Sequence, residues 1–96
     1  MTVFDYPTKL QNLADRLDKL APERRRDSET LRTTARKLAT QAAEDMLERL
    51  QPQLAQLKVG IQKIEQTLND ITKVKNTLQA FNNVVRVATD IVKIIS

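Results

Sequence analysis

Three observations predict an all-α protein. Apolar residues recur at alternating steps of three and four over most of the chain, the spacing that places side chains on one side of a helix. The 96 residues include one Gly and three Pro, so the turn punctuation that short strands require is absent. Apolar residues make up 41%, too many and too periodic for a disordered chain, and only 3% are aromatic, so the core is aliphatic. At this length residues 1–96 form a single domain.

The first helix is expected over residues 7–21. Asp5 can cap it, Pro7 is tolerated in a first turn, and Pro22 stops it. Leu10, Leu13, Leu17 and Leu20 form a narrow leucine seam, and Asp15 with Lys19 adds an i,i+4 pair. Phe4 and Tyr6 read as a staple between the helix start and its neighbour.

Residues 22–27, Pro-Glu-Arg-Arg-Arg-Asp, interrupt the apolar count and read as a connection. Asp27 or Ser28 then caps a second helix over residues 28–50, with Glu29 near its positive dipole end. It carries Leu31, Ala35, Leu38, Ala42 and Met46, followed by Leu47 and Leu50, and its alanines permit another helix to approach closely. Pro52 has two readings: it opens the next helix after a hairpin turn, or it bends one long helix. The hairpin is preferred, because no better turn signal follows Ser28.

A long third helix is expected over residues 53–95, about 65 Å at 1.5 Å per residue. Its stripe runs through Leu54, Leu57, Ile61, Ile64, Leu68 and Ile71. After an irregular step to Val74 it continues through Leu78, Phe81, Val85, Ala88, Val92 and Ile95. The irregular step reads as a stammer or a bend. Gly60 weakens the helix by about 1 kcal/mol relative to Ala, and Asn69-Asp70 and Asn82-Asn83 are the two points where it can break. Val84, Val87, Ile91 and Ile94 widen the apolar arc near its end.

The expected architecture is an elongated helical hairpin of three helices, packed as in a coiled coil, with the first two laid along the third. Two helices cover only one stripe each, so apolar surface is left for a second copy, in an oligomeric bundle, or for a helical partner. The interface is assigned to Ile71, Val74, Leu78, Phe81, Val85, Val92 and Ile95.

Composition narrows the function. The chain has no Cys and no His, which removes thiolate chemistry, the side chain suited to proton transfer near neutrality and the commonest transition-metal ligand. No catalytic residue, cofactor or metal is expected, and Glu44, Asp45 and Glu48 read as a solvated acidic face. The net charge is +4, and its distribution is uneven. Residues 1–50 hold ten basic and nine acidic side chains, residues 51–96 only six and three.

Arg24, Arg25 and Arg26 are the candidate phosphate contacts, since Arg forks bind phosphate oxygens. Glu23, Asp27 and Glu29 balance them locally, and no aromatic residues interleave to stack on bases, so nucleic acid ranks last among partners. The favoured function is a non-enzymatic interaction or assembly module. Its alternative is a peripheral membrane binder that lays the C-terminal helix on lipid, with Lys73, Lys75, Arg86 and Lys93 at the head groups. No leader or spanning segment is evident, so the expected location is cytoplasmic.

Overall fold

A computed structural model describes residues 4–95, and the described residues are helical throughout apart from short connections. Five helices follow one another: α1 (Tyr6–Leu20), α2 (Arg25–Thr40), α3 (Glu44–Arg49), α4 (Gln51–Thr67) and α5 (Val74–Ile95). Single 3-10 turns, Pro22–Arg24 and Ile71–Lys73, lead into α2 and α5. The all-α class is as expected. The three-helix layout and the elongated shape are not.

Helix α1 starts where its sequence says it should. The Asp5 carboxylate accepts from the Thr8 backbone N–H at 3.1 Å, and Pro7 lies in the first turn. Pro22 ends the helix but opens a 3-10 turn that runs directly into α2, so α2 begins before the predicted Asp27 or Ser28 cap. Ser28 is buried instead, and its hydroxyl faces the Asp18 carboxylate.

The predicted second helix divides at residues 41–43. Ala42 and Ala43 offer no local reason to stop, so the cause lies in packing. A helix continued to residue 50 would carry Met46 and Leu50 away from the other helices. The break lets short α3 fold across the end of the bundle, where Leu50 is fully buried and Met46 packs against the core. Pro52 then takes the second position of α4, where a missing N–H costs no helical hydrogen bond. The chain does reverse between α2 and α4, but α4 packs on α5 and α1.

The predicted long helix breaks at Asn69-Asp70. The Asp70 carboxylate accepts from the Thr72 backbone N–H at 3.0 Å and the Thr72 hydroxyl at 2.6 Å, fixing the turn that starts α5. The irregular step from Ile71 to Val74 is therefore the trace of a chain reversal, and no stammer is present. Asn82-Asn83 lies inside unbroken α5.

Two antiparallel hairpins result, α1 with α2 and α4 with α5. Tyr6 reaches Leu54 and Lys9 reaches Glu65, so α1 runs parallel to α4. Arg24 meets Asn82 and Thr34 meets Ala88, so α2 runs parallel to α5. One hairpin is thus laid on the other. The core between them holds Leu10, Leu17, Leu31, Leu57, Ile61, Ile64, Phe81 and Ile91. The molecule measures 41 × 29 × 18 Å with a radius of gyration of 12.9 Å, close to the roughly 12–13 Å of a compact chain this long.

Two buried threonines show how polar groups enter that core at little cost. Thr34 Oγ1 donates to the Thr30 carbonyl at 2.8 Å, and Thr77 Oγ1 lies 3.0 Å from the Lys73 carbonyl and 2.7 Å from Thr67 Oγ1. Each hydroxyl has an acceptor one turn back in its own segment as well as a partner on a neighbouring helix.

Candidate functional site

The wide apolar arc of α5 is divided between two neighbours. Thr77, Ala80, Phe81, Val84, Ala88 and Ile91 are its buried row, facing inward between α2 and α4. The row assigned to a partner lies one step around the helix. Phe81 belongs to the interior and is completely buried, while Leu78, Val85 and Ile95 are half-buried and pack on the core. Val92 is half-exposed, Val74 is exposed, and Ile71 is 87% exposed at the tip of the turn. The seven predicted interface residues therefore do not form one free surface. Ile71 alone of the seven stands well outside, with Val74 beside it about a third exposed.

The arginine cluster is also dispersed. Arg24 is half-buried and its Nη1 donates to Asn82 Oδ1, tying the first turn to α5. Arg25 and Arg26 are exposed, and successive helical positions point about 100° apart, so the three guanidinium groups do not converge. Arg32 is held by Asp18 at 2.6 Å and Asp15 at 2.8 Å, between α2 and α1.

That network has an electrostatic consequence. The Ser28 hydroxyl and the Arg32 guanidinium both donate to Asp18, and together they lower its carboxyl below the ordinary aspartate range. A group with a depressed folded pKa contributes stability above its unfolded pKa and loses it as pH falls through the folded one. Acidification below about pH 4 should therefore weaken the α1–α2 hairpin. In Asp18→Asn this acid-induced drop in melting temperature should be smaller than in the wild type. An identical drop in both would remove Asp18 from the account.

Two surface concavities are lined by apolar side chains. One, of about 470 Å³, lies at the end of the bundle where α1 begins, and is bounded by Phe4, Tyr6, Leu38, Leu47 and Leu54 with Glu44 and Glu48 on α3. The Tyr6 hydroxyl donates to the Leu54 carbonyl at 3.2 Å, and its burial raises its pKa. Lys9 and Lys58 lie 5.5 and 5.3 Å from the Phe4 ring centre, the arrangement of a cation over an aromatic face. Phe4 and Tyr6 are in contact, with ring centres 4.7 Å apart.

The other concavity, of about 420 Å³, runs along the outer side of the C-terminal hairpin. Val59 and Val87 line it together with Lys63, Asn83 and Arg86. At its floor Gly60 meets Val84, and a Cβ on Gly60 would lie 2.6 Å from Val84 Cγ2. A glycine read in sequence as a weak point is the place where α4 and α5 touch.

Sequence reasoning did not single out Val59 or the groove beside α3. Val59 carried a signal, since it is an apolar residue set off the stripe of α4. The groove carried none, because Phe4, Leu38 and Leu47 come from three separate segments. Glu44 and Glu48 are exposed as expected, but on the rim of an apolar recess. No helix among the described residues is long and apolar enough to cross a membrane. Comparisons with family models, curated proteins and solved structures find no match to this chain.

Proposed function

We propose that the protein is a non-enzymatic helical interaction module, self-associating or packing on a helical partner through apolar side chains of its C-terminal hairpin. One observation supports this reading above the others. Among the described residues the large apolar side chains left exposed are Leu47, Val59, Ile71, Val74 and Ile94, and all but Leu47 lie in α4, α5 or the turn between them. The N-terminal hairpin sends its leucines inward and presents a charge-dense surface. The C-terminal hairpin combines exposed apolar groups with few charges, the composition that tolerates burial against another helix.

The test is solution mass across a concentration series, with a variant in which Val59, Ile71 and Ile94 all become Asp. These positions are exposed, so the variant should keep its helical circular dichroism while the wild type alone gains mass. Equal masses at every concentration, with no difference in capture of helical proteins from an extract, would overturn the proposal. The membrane reading requires α5 to withdraw Phe81, Val84, Ala88 and Ile91 from the core. Flotation with anionic liposomes should accordingly leave the wild type in the aqueous fraction.

A further inference from the structure

We infer that the partner is a second copy of this chain bound head to tail, with the Ile71–Val74 corner of one copy seated in the α1–α3–α4 groove of the next. This rests on the interaction function proposed above and names its partner and orientation. Ile71 is the most exposed large apolar side chain described, and Lys73 and Lys75 beside it are both exposed. The groove offers Tyr6, Leu47 and Leu54 as apolar walls and Glu44 and Glu48 as its acidic rim. An apolar knob flanked by two cations thus has a recess flanked by two carboxylates as its counterpart.

The Asp70 carboxylate beside Ile71 is turned onto Thr72, and at the groove Lys9 is paired with Glu65 at 3.0 Å while Lys58 lies over the Phe4 ring. The two surfaces also lie at opposite ends of the molecule. The knob joins the end of α4 to the start of α5, whereas the groove is built where α1 and α4 begin, and these two helices are parallel. A contact between unlike surfaces at opposite ends is heterologous, so it propagates into an open chain or a ring and does not close on itself as a two-fold dimer.

Size sets the strength. The end of the bundle is 29 × 18 Å across, less than the about 800 Å² per partner of a standard stable interface. Association is therefore weak, appears at high protein concentration and declines with salt, which screens the exposed charges.

The experiment mixes full-length variants that each spoil one surface. Ile71→Asp loses the knob and keeps the groove; Leu47→Asp loses the groove and keeps the knob. Each alone should associate at least tenfold more weakly than the wild type by sedimentation velocity. Mixed, they should form a one-to-one heterodimer that grows no further. A fold-neutral check reverses charges at exposed positions. Lys73→Glu with Lys75→Glu should weaken association, and adding Glu44→Lys with Glu48→Lys to the same chain should restore it.

A monomeric wild type, a mixture that stays monomeric, or failure of the charge swap to restore association overturns the head-to-tail contact. Should Ile71→Asp associate like the wild type while the Val59, Ile71 and Ile94 triple variant does not, this inference fails and the interaction function stands. When neither differs from the wild type in mass or capture, both fail.

Discussion

Phe81→Asp should unfold the protein outright. On the sequence this substitution reads as one that splits an assembly, because Phe81 sits on the stripe given to a partner. In the fold its ring is fully buried among side chains of the chain itself. Truncating a buried Phe to Ala costs about 3–5 kcal/mol. An aspartate there also brings an unpaired carboxylate into an apolar site, a further cost of several kcal/mol. A domain of this size is stable by roughly 5–15 kcal/mol, so the total is comparable with the whole. Helical circular dichroism at room temperature should collapse for Phe81→Asp, and Phe81→Ala should fold with a much lower urea midpoint. A Phe81→Asp protein that kept its helicity and lost only self-association would place the ring outside the core.

The second large effect is expected at Gly60. Alanine is worth about 1 kcal/mol over glycine inside a helix, so propensity alone makes Gly60→Ala stabilising. The structure reverses the sign. The new methyl would lie 2.6 Å from Val84 Cγ2, and Val84 is buried. Its β-branched side chain has one favoured rotamer in a helix and cannot swing aside. Overpacking of this kind costs about 1–3 kcal/mol, which exceeds the propensity gain across most of that range. Gly60→Leu should cost more. The decisive measurement is a double-mutant cycle by urea denaturation with Val84→Ala, which removes the clashing methyls. The two substitutions should be less harmful together than their sum. Additivity, or a stabilised Gly60→Ala, would mean that the helices do not approach so closely at this point.

These two residues show which parts of the fold the sequence carried. Periodicity identified the buried rows of α1, α2 and α4 almost residue by residue, because each of those helices faces one side of the core. On α5 it picked out only Phe81 and Ala88 of the buried row, because the apolar arc is wide enough that rows one step apart are equally good candidates. The row containing Val84 and Ile91 went inward, and that choice depends on where α2 and α4 lie, a fact of tertiary packing.

Breaks were legible in proportion to their local chemistry. Asn69-Asp70 holds a turn-forming carboxylate, which marks it in the sequence as a point where the helix can break. Residues 41–43 hold good helix formers, and what ends α2 there is the burial of Leu50 on the rest of the molecule. For the candidate surface, Ile71 and Val74 stood out because they straddled an irregular step, whereas the groove that receives them in our proposal is assembled from distant segments. The arginines were conspicuous as a run, yet consecutive positions on a helix diverge, and Arg24 is committed to Asn82.

The segment from residue 41 to residue 50 has a meaning beyond covering the end of the bundle. It is the covalent link between two hairpins that otherwise meet only through noncovalent contacts, so their docking is an intramolecular event. A short tether of this kind gives an effective concentration of order millimolar. A contact between the hairpins with a dissociation constant of only about 1 µM as separate peptides would then be closed roughly a thousand times more often than open. Cutting the chain at residues 41–43 would leave every packed residue in place, yet make the same fold depend on dilution.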